Sequence, residues 1–393
     1  MNAPSTALNH LRVLDLSRVR AGPTCCRILA DFGAGVIKIE APPGVDPNEG
    51  MSGSRNGYDM LNLHRNKRSL TLNLKQPAGR EIFLRLVATA DVVVENFRPD
   101  VKDRMGIDYE TLQKANPRII LASISGFGQT GPYRMRAGFD QIAQGMGGLM
   151  AVTGHPGEGP MRAGIAVADS SAGVFAATGI LIALAERERS GLGQWVQTSL
   201  LQAQIAMMDF QAARYLIDHE VPGQAGNDHP YSTPMGVFKT ADGFINIGVG
   251  GQWRALCVAL AREDLANEPV YATIEGRFRN RPTLTAILQA VFTQKPSAEW
   301  LDKLEQAGVP AGPIYTLDEV FADPQVRHLG MAVPMQHPQR GDIEVVATPI
   351  TLSRTLASVV SPLPEAGAQT EEILREAGYD AAAIDRFRKQ NIV

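Results

Sequence analysis

The sequence predicts an α/β protein, a parallel Rossmann-like sheet accompanied by a smaller α+β domain. Short β-branched runs alternate with helical patterns from residue 11 onward, as expected for strands joined by crossover helices. The chain has 393 residues, more than one compact core usually holds, which points to two domains. Near residue 226 the alternation gives way to a hairpin pattern followed by helices.

The strands expected in order are "LRVLDLS" (11–17), "GVIKIE" (35–40), "SLTLNL" (69–74), "ADVVVEN" (90–96) and "RIILASIS" (118–125). Helical stretches such as "PTCCRILADFGA" (23–34) and "PAGREIFLRLVATA" (77–90) lie between them, and Pro23 suits a first helical position. The first turn, Ser17 to Pro23, is not GxGxxG, so a nicotinamide-dinucleotide site loses its main support. An apolar helix-like run follows "AVADSSAG" (166–173), and "TSLLQAQIAMMDFQAARYLID" (198–218) reads as one long helix. "VFKTADGFINIGV" (237–249) carries a hairpin signal at Asp242-Gly243, with helices continuing to about residue 307. Strand-like "IEVVATPI" (343–350) and helices at 370–378 and 381–390 complete the chain. The expected division is a large domain over 1–200 and 325–393, a small domain over 226–312, and linkers at 201–225 and 313–324.

Charge is nearly balanced, 38 basic against 41 acidic residues, with no long run of either sign. That argues against a nucleic-acid or membrane-surface protein. Cys25, Cys26 and Cys257 form no disulfide framework and no CxxC pair, and the seven histidines include no HxxxH, so no metal is expected. The first residues lack a basic segment followed by a long apolar one, and no run reaches the length of a membrane span. A cytoplasmic location is expected.

Asp169 invites two readings. Asp is a favoured N-cap and stands where a helix begins. Its small neighbours would also admit a substrate carbonyl, with nearby backbone N–H groups as oxyanion donors. Arg98, Lys102 and Arg104 in "ENFRPDVKDRMG" (95–106) are either a solvated face or a phosphate site, since open α/β sheets bind nucleotides beyond the carboxyl ends of their strands. Lys75 occupies an equivalent place after strand 69–74. Cys25-Cys26 read as helix packing, His229 as a loop residue, and Gly248, Gly250 and Gly251 as a strand-end turn.

Together these segments resemble the family III CoA-transferases, the group that includes formyl-CoA transferase. The matching stretches include "VLDLSRVRAGP" (13–23), "FGAGVIKIE" (32–40), "NKRSLTLNLK" (66–75), "ADVVVENFRPDVKDRMG" (90–106), "ASISGFGQTGP" (122–132), "AVADSSAG", "VFKTADG" (237–243), "GVPAGPI" (308–314) and "DPQVRHLGM" (323–331). The resemblance implies that Asp169 is a nucleophile forming an aspartyl-CoA intermediate, its charge favoured by the helix terminus. It implies CoA contacts from Leu72, Asn73, Leu74, Lys75, Asn96, Phe97, Arg98, Arg104 and Arg136. It also implies an interlocked homodimer whose large domain is built from both chain ends, with acyl-CoA and a carboxylic acid as substrates.

Arg20 stands where formyl-CoA transferase has a glutamine near the thioester, and Asp140 where it has a glutamate; both are candidate catalytic residues. A cation at position 20 suits a dicarboxylic or hydroxy acid. The tetraglycine loop of formyl-CoA transferase is replaced by "NDHPYSTPMG" (227–236), which argues against formyl-CoA as donor. The alternatives are an α-methylacyl-CoA racemase-like enzyme and an inactive CoA-binding protein. The racemases carry their catalytic histidine in Gly-His-Asp; here the segment reads Gly138-Phe139-Asp140, so one of the two proton-transfer bases is missing.

Overall fold

The computed structural model describes residues 3–46 and 50–393. In chain order the first elements are β1 (Arg12–Asp15), α1 (Ala21–Asp31), β2 (Gly35–Glu40), α2 (Tyr58–His64), β3 (Lys67–Thr71), α3 (Pro77–Val87), β4 (Val92–Glu95), α4 (Pro99–Met105), α5 (Tyr109–Ala115) and β5 (Ile120–Ser125). They continue with α6 (Asp140–Met146), α7 (Leu149–Val152), α8 (Val167–Ser190), β6 (Trp195–Ser199), α9 (Leu200–Ala206) and α10 (Asp209–Asp218).

The six strands form one parallel sheet in the order β3-β2-β1-β4-β5-β6. All of β4 and β5 is buried, which explains why the strands read as nearly continuous apolar runs. Alternate residues point to opposite faces. Val13, Val36, Val92 and Ile120 meet Cys25, Cys26 and Leu29 of α1 and Ala176 and Ile180 of α8. Leu14, Ile37, Leu70 and Leu121 join Phe83 and Leu86 of α3 on the other face. That second core is completed from the end of the chain by Ile373, Leu374 and Ile384.

The remaining elements are β7 (Met235–Lys239), β8 (Phe244–Gly248), α11 (Trp253–Ala259), α12 (Glu263–Asn267), α13 (Ile274–Arg279), α14 (Arg281–Phe292), α15 (Ser297–Gln306), β9 (Ala311–Pro313), α16 (Leu317–Ala322), α17 (Pro324–His328), β10 (Ala332–His337), β11 (Gly341–Val346), α18 (Thr370–Glu376) and α19 (Ala381–Lys389). The chain divides into two compact units. One comprises 1–149, 163–216 and 327–393, the other 150–162 and 217–326. The second unit is an antiparallel β7-β8-β9 sheet whose Phe238, Ile245 and Ile247 pack with Trp253, Leu288, Phe292 and Trp300. Its β7–β8 hairpin turns at Thr240–Gly243, where the Gly243 N–H donates to Thr240 Oγ1.

Several expectations need correction. The helix expected over 198–218 begins as strand β6, then breaks into α9 and α10. The turn at Met207-Met208 closes on Ala203 and Ile205, and Asp209 takes φ 44°. Neither Gly nor Pro marks that break, so the apolar pattern runs straight through it. The stretch 201–225 therefore holds helices up to Asp218, and 313–324 contains α16. Residues 150–162, read with the large domain, group with the second unit. Helix α8, at 24 residues, is long and apolar enough by composition to cross a membrane, contrary to the absence of such a run. Nine of its residues, including Ala172, Ala176 and Ile180, are instead buried within the protein.

Candidate active site

Parallel sheets bind ligands beyond the carboxyl ends of their strands, where the strand order reverses. Here the reversal lies between β1 and β4. A cavity of about 840 Å³ opens there, lined by Leu16, Ser17 and Arg18 after β1 and by Phe97 after β4. Ile39 and Glu40 of β2 and Leu72, Asn73, Leu74 and Lys75 after β3 extend it. Among the described residues, Arg18, Lys38, Arg55, Lys75, Arg80 and Arg104 line it against Glu40 and Asp46, an excess of positive charge. Phe97, Leu72, Leu74, Val101 and Met105 supply apolar surface, and the Arg18 guanidinium lies 5.6 Å from the Phe97 ring centroid.

The site residues expected from sequence separate into distinct places. Leu72 to Lys75, Phe97 and Arg104 are on the cavity wall; Asn96, Arg98 and Arg136 are not. The Asn96 amide accepts from the Arg18 N–H at 3.0 Å and donates to the Arg18 carbonyl at 2.7 Å, clamping the β1–α1 loop. Arg98 is half exposed beside Asp100 at 3.5 Å, and Arg104 reaches the same carboxylate at 3.2 Å. Arg136 stacks over Tyr133 at 3.8 Å. Lys75 donates to the Val45 carbonyl at 2.8 Å. Lys102 belongs to neither a solvated face nor a phosphate site: it is buried, 3.7 Å from Glu95, and donates to Gln129. Glu95 in turn accepts from the Phe97 N–H at 2.8 Å, and burial, partly offset by Lys102, raises its pKa. Arg18, Lys38, Arg55 and Arg80 were missed as basic cavity residues. Arg18 and Lys38 stood inside recognised motifs, whereas Arg55 and Arg80 stood in none.

One loop joins this cavity to Asp169. Ser17 donates to Asp15 from both its N–H (2.9 Å) and its hydroxyl (2.5 Å), and Asp15 is itself paired with buried Lys67 at 2.8 Å. Val19, a β-branched residue, is held at φ 65° with its N–H on Ser52 Oγ at 3.0 Å. Such a conformation costs about 1–3 kcal/mol and persists only where its surroundings impose it. Arg20 follows as the residue that starts α1, and its Nη2 donates to Asp59 at 2.7 Å.

Asp169 is not the cap of α8. Ala166 holds that position, without a side-chain hydrogen bond, and Asp169 lies in the first turn. The capping acceptor comes from α6: Asp140 Oδ1 receives the N–H groups of Ala168 at 2.9 Å and Asp169 at 3.3 Å. Those N–H groups are therefore engaged and are not the oxyanion donors expected from sequence. Gln144 donates to Asp140 Oδ2 at 2.6 Å and to the Ile165 carbonyl at 3.0 Å, while its own Oε1 accepts from the Ala163 N–H. Asp169 thus sits near Asp140 and Arg20. Burial, and secondarily the Asp140 charge, push its pKa up to about 6 against the pull of Arg20. The helix terminus does not keep it at an ordinary carboxylate value, because Asp140 occupies that terminus first. Phe139, at the start of α6, is exposed and offers no imidazole.

A half-buried carboxylate with a raised pKa, one cation and an anion-friendly cavity can attack an activated acyl group. The chain matches the model of CoA-transferase family III over residues 8–370. It belongs to CoA-transferase family III. The chain is accordingly a CoA-transferase, a class of enzyme that uses acyl-CoA as substrate. It is 41% identical to succinate–glutarate CoA-transferase of Agrobacterium fabrum, over 94% of this chain and 95% of that protein. It is 38% identical to succinyl-CoA:glutarate CoA-transferase of Mus musculus, over 98% of this chain and 90% of that protein. The crystal structure of a CAIB/BAIF family protein from Brucella suis superposes with TM-score 0.83 at 38% identity, covering 95% of this chain and 100% of the other. Among the described residues, no three His, Cys, Asp or Glu side chains gather as a metal site.

Proposed function

We propose that this CoA-transferase moves CoA from an acyl-CoA thioester to a dicarboxylic or hydroxy acid through an aspartyl-CoA intermediate on Asp169. The observation that carries the reading is Asp169 itself, a half-buried carboxylate between Arg20 and Asp140 in a family III chain. A carboxylate oxygen of Asp169 attacks the donor's thioester carbonyl, the C–S bond breaks, and CoA leaves as thiolate. The product is a mixed anhydride. The thiolate then attacks the Asp169 carbonyl, releasing the donor acid as its carboxylate and leaving an aspartyl thioester. The acceptor carboxylate repeats both steps in reverse, so that one difficult exchange becomes several easier ones.

The cavity between β1 and β4 supports binding of the CoA nucleotide, its basic side chains meeting phosphates and Phe97 meeting the base. The two named relatives act on succinate, succinyl-CoA or glutarate, which favours a dicarboxylic acid here. Arg20 is suited to the distal carboxylate: its planar fork has five donors, and one reaches Asp59. A homodimer with interlocked chains completes the reading. It is supported by the apolar side chains that α8 exposes, among them Phe175 and Ile182.

The test is Asp169→Ala, assayed with pairs of acyl-CoA and dicarboxylic acid by mass spectrometry. Turnover is expected to fall roughly a thousand-fold or more while acyl-CoA binding stays near wild type. Hydroxylamine added during wild-type turnover is expected to modify Asp169. Transfer at near wild-type rate by the Ala variant would overturn the mechanism.

A further inference from the structure

Arg20 approaches Asp169 from the start of α1, yet its strongest partner lies elsewhere. Asp59, in the first turn of α2, accepts from Arg20 Nη2 at 2.7 Å. The two side chains are about one-third exposed, so they form a pair that solvent reaches. Asp59 does not line the cavity, although its neighbour Met60 does. Backbone ties already fix where Arg20 begins: Asn96 clamps Arg18, and Ser52 holds Val19. The long Arg20 side chain still has several rotatable bonds, and Asp59 is the contact that chooses among their settings.

We propose that Asp59 is a positioning residue of the transfer reaction, fixing where the Arg20 guanidinium lies and how much of its charge reaches Asp169 and an incoming acid. The proposal rests on the reading of Asp169 as nucleophile and of Arg20 as acid-binding cation. Ion-paired to Asp59, the guanidinium is partly neutralised, so Asp169 and a substrate carboxylate share a tempered cation. The elements packed against α8 add few other charges near Asp169. Helix α6 supplies Asp140; α1 begins after Arg20 and carries Arg27 and Asp31 further along, six and ten residues beyond its first; β5, β6 and α9 carry no charged side chain. Removing the Asp59 charge leaves the whole Arg20 charge to favour ionised Asp169. Removing Arg20 does the reverse.

The experiment compares Asp59→Asn, Asp59→Glu and Arg20→Gln in the full-length enzyme, with kcat/KM measured against pH for an acyl-CoA and a dicarboxylic acid. In Asp59→Asn the acid limb is expected to move below that of wild type by roughly half a pH unit, and in Arg20→Gln to move above it. KM for the dicarboxylic acid is expected to rise roughly 5-fold in Asp59→Asn while KM for acyl-CoA changes by less than about 2-fold. Asp59→Glu, which restores the charge on a longer arm, is expected to bring the limb back towards wild type. Thermal melting of each variant checks the fold independently. If Arg20→Gln moves the limb and Asp59→Asn moves neither the limb nor the acid KM, the proposal fails while the reading of Arg20 and Asp169 stands. If neither variant moves the limb, that reading fails and takes the proposal with it.

Discussion

A carboxylate that stays protonated up to about pH 6 is a liability to stability and an asset to chemistry, and Asp169 shows both sides. The native protein holds a proton on Asp169 up to about pH 6, whereas a carboxylate of ordinary value, 3.8, has lost it well before. Between those values the native state binds more protons than the unfolded chain, so stability falls as pH rises through that window. Above it the full cost is present, about 1–3 kcal/mol after allowance for solvent around a half-buried group. Asp169→Asn removes the charge and keeps the backbone N–H that Asp140 receives. The Asn variant is therefore expected to be the more stable protein by urea unfolding at pH 7.5, with the gap narrowing towards pH 4. A gap that is constant with pH would mean that shape, not ionisation, separates the two side chains. The same titration predicts that wild-type kcat/KM falls below about pH 6, as the nucleophile takes up its proton. The sequence marked Asp169 by its small neighbours and family motif, and of its two readings the helix cap is the one the structure removes. The side chain that accepts the first-turn N–H groups, Asp140, is 29 residues away, and a contact of that separation leaves no trace in local pattern. Asp59 was invisible for the same reason: its partner Arg20 lies 39 residues earlier.

The meeting of α1 and α8 brings the Arg20 loop to Asp169. Gly173 stands one turn after Asp169 on the same face of α8. A Cβ there would lie 2.5 Å from the Ala21 carbonyl oxygen and 2.7 Å from Thr24 Cβ, so the two helices touch through the missing side chain. Gly173→Ala is expected to cost about 1–3 kcal/mol by overpacking, and to lower kcat as the start of α1 is pushed from Asp169. Gly164→Ala, with nothing within 4 Å of its Cβ, is the matched control and should change neither quantity appreciably. Unchanged kcat in Gly173→Ala, with the expected loss in stability, would uncouple the helix contact from the chemistry. Strands β1 to β5 were legible in outline because burial leaves short apolar runs, although β3, polar at Lys67, Arg68 and Ser69, begins two residues before and ends three residues before the run expected at 69–74. Strand β6 was not, since "WVQTS" is short, polar at its last three residues, exposed at Gln197 and fully buried only at Ser199. The α9–α10 break escaped notice because the chain turns there on Met207, Met208 and Asp209, without the usual Gly or Pro.

At the scale of the whole molecule, α8 leaves several apolar side chains exposed. Val174, Phe175, Leu181 and Ile182 are between 41% and 64% exposed on this helix, and Leu216 of α10 is 71% exposed. Apolar clusters on that scale are uncommon on a solitary soluble chain. A second copy is the partner implied by the family resemblance, and the interlocked form makes a sharper claim than dimerisation alone. Two chains that merely share an apolar face separate and re-form at a rate set by their affinity. Two chains linked as rings cannot part until one of them unfolds. Equal amounts of the enzyme carrying two different affinity tags, mixed under native conditions for several days, should therefore yield no doubly tagged dimer. The same mixture unfolded in urea and refolded together should yield about half doubly tagged dimer, as random pairing requires. Rapid formation of the hybrid without denaturant would leave the α8 face as the whole of the interface. In that case Ile182→Glu, which places a charge at its centre, should release folded monomers. With linked rings, the same substitution should instead lower the yield of folded protein, because the subunits have no folded state apart.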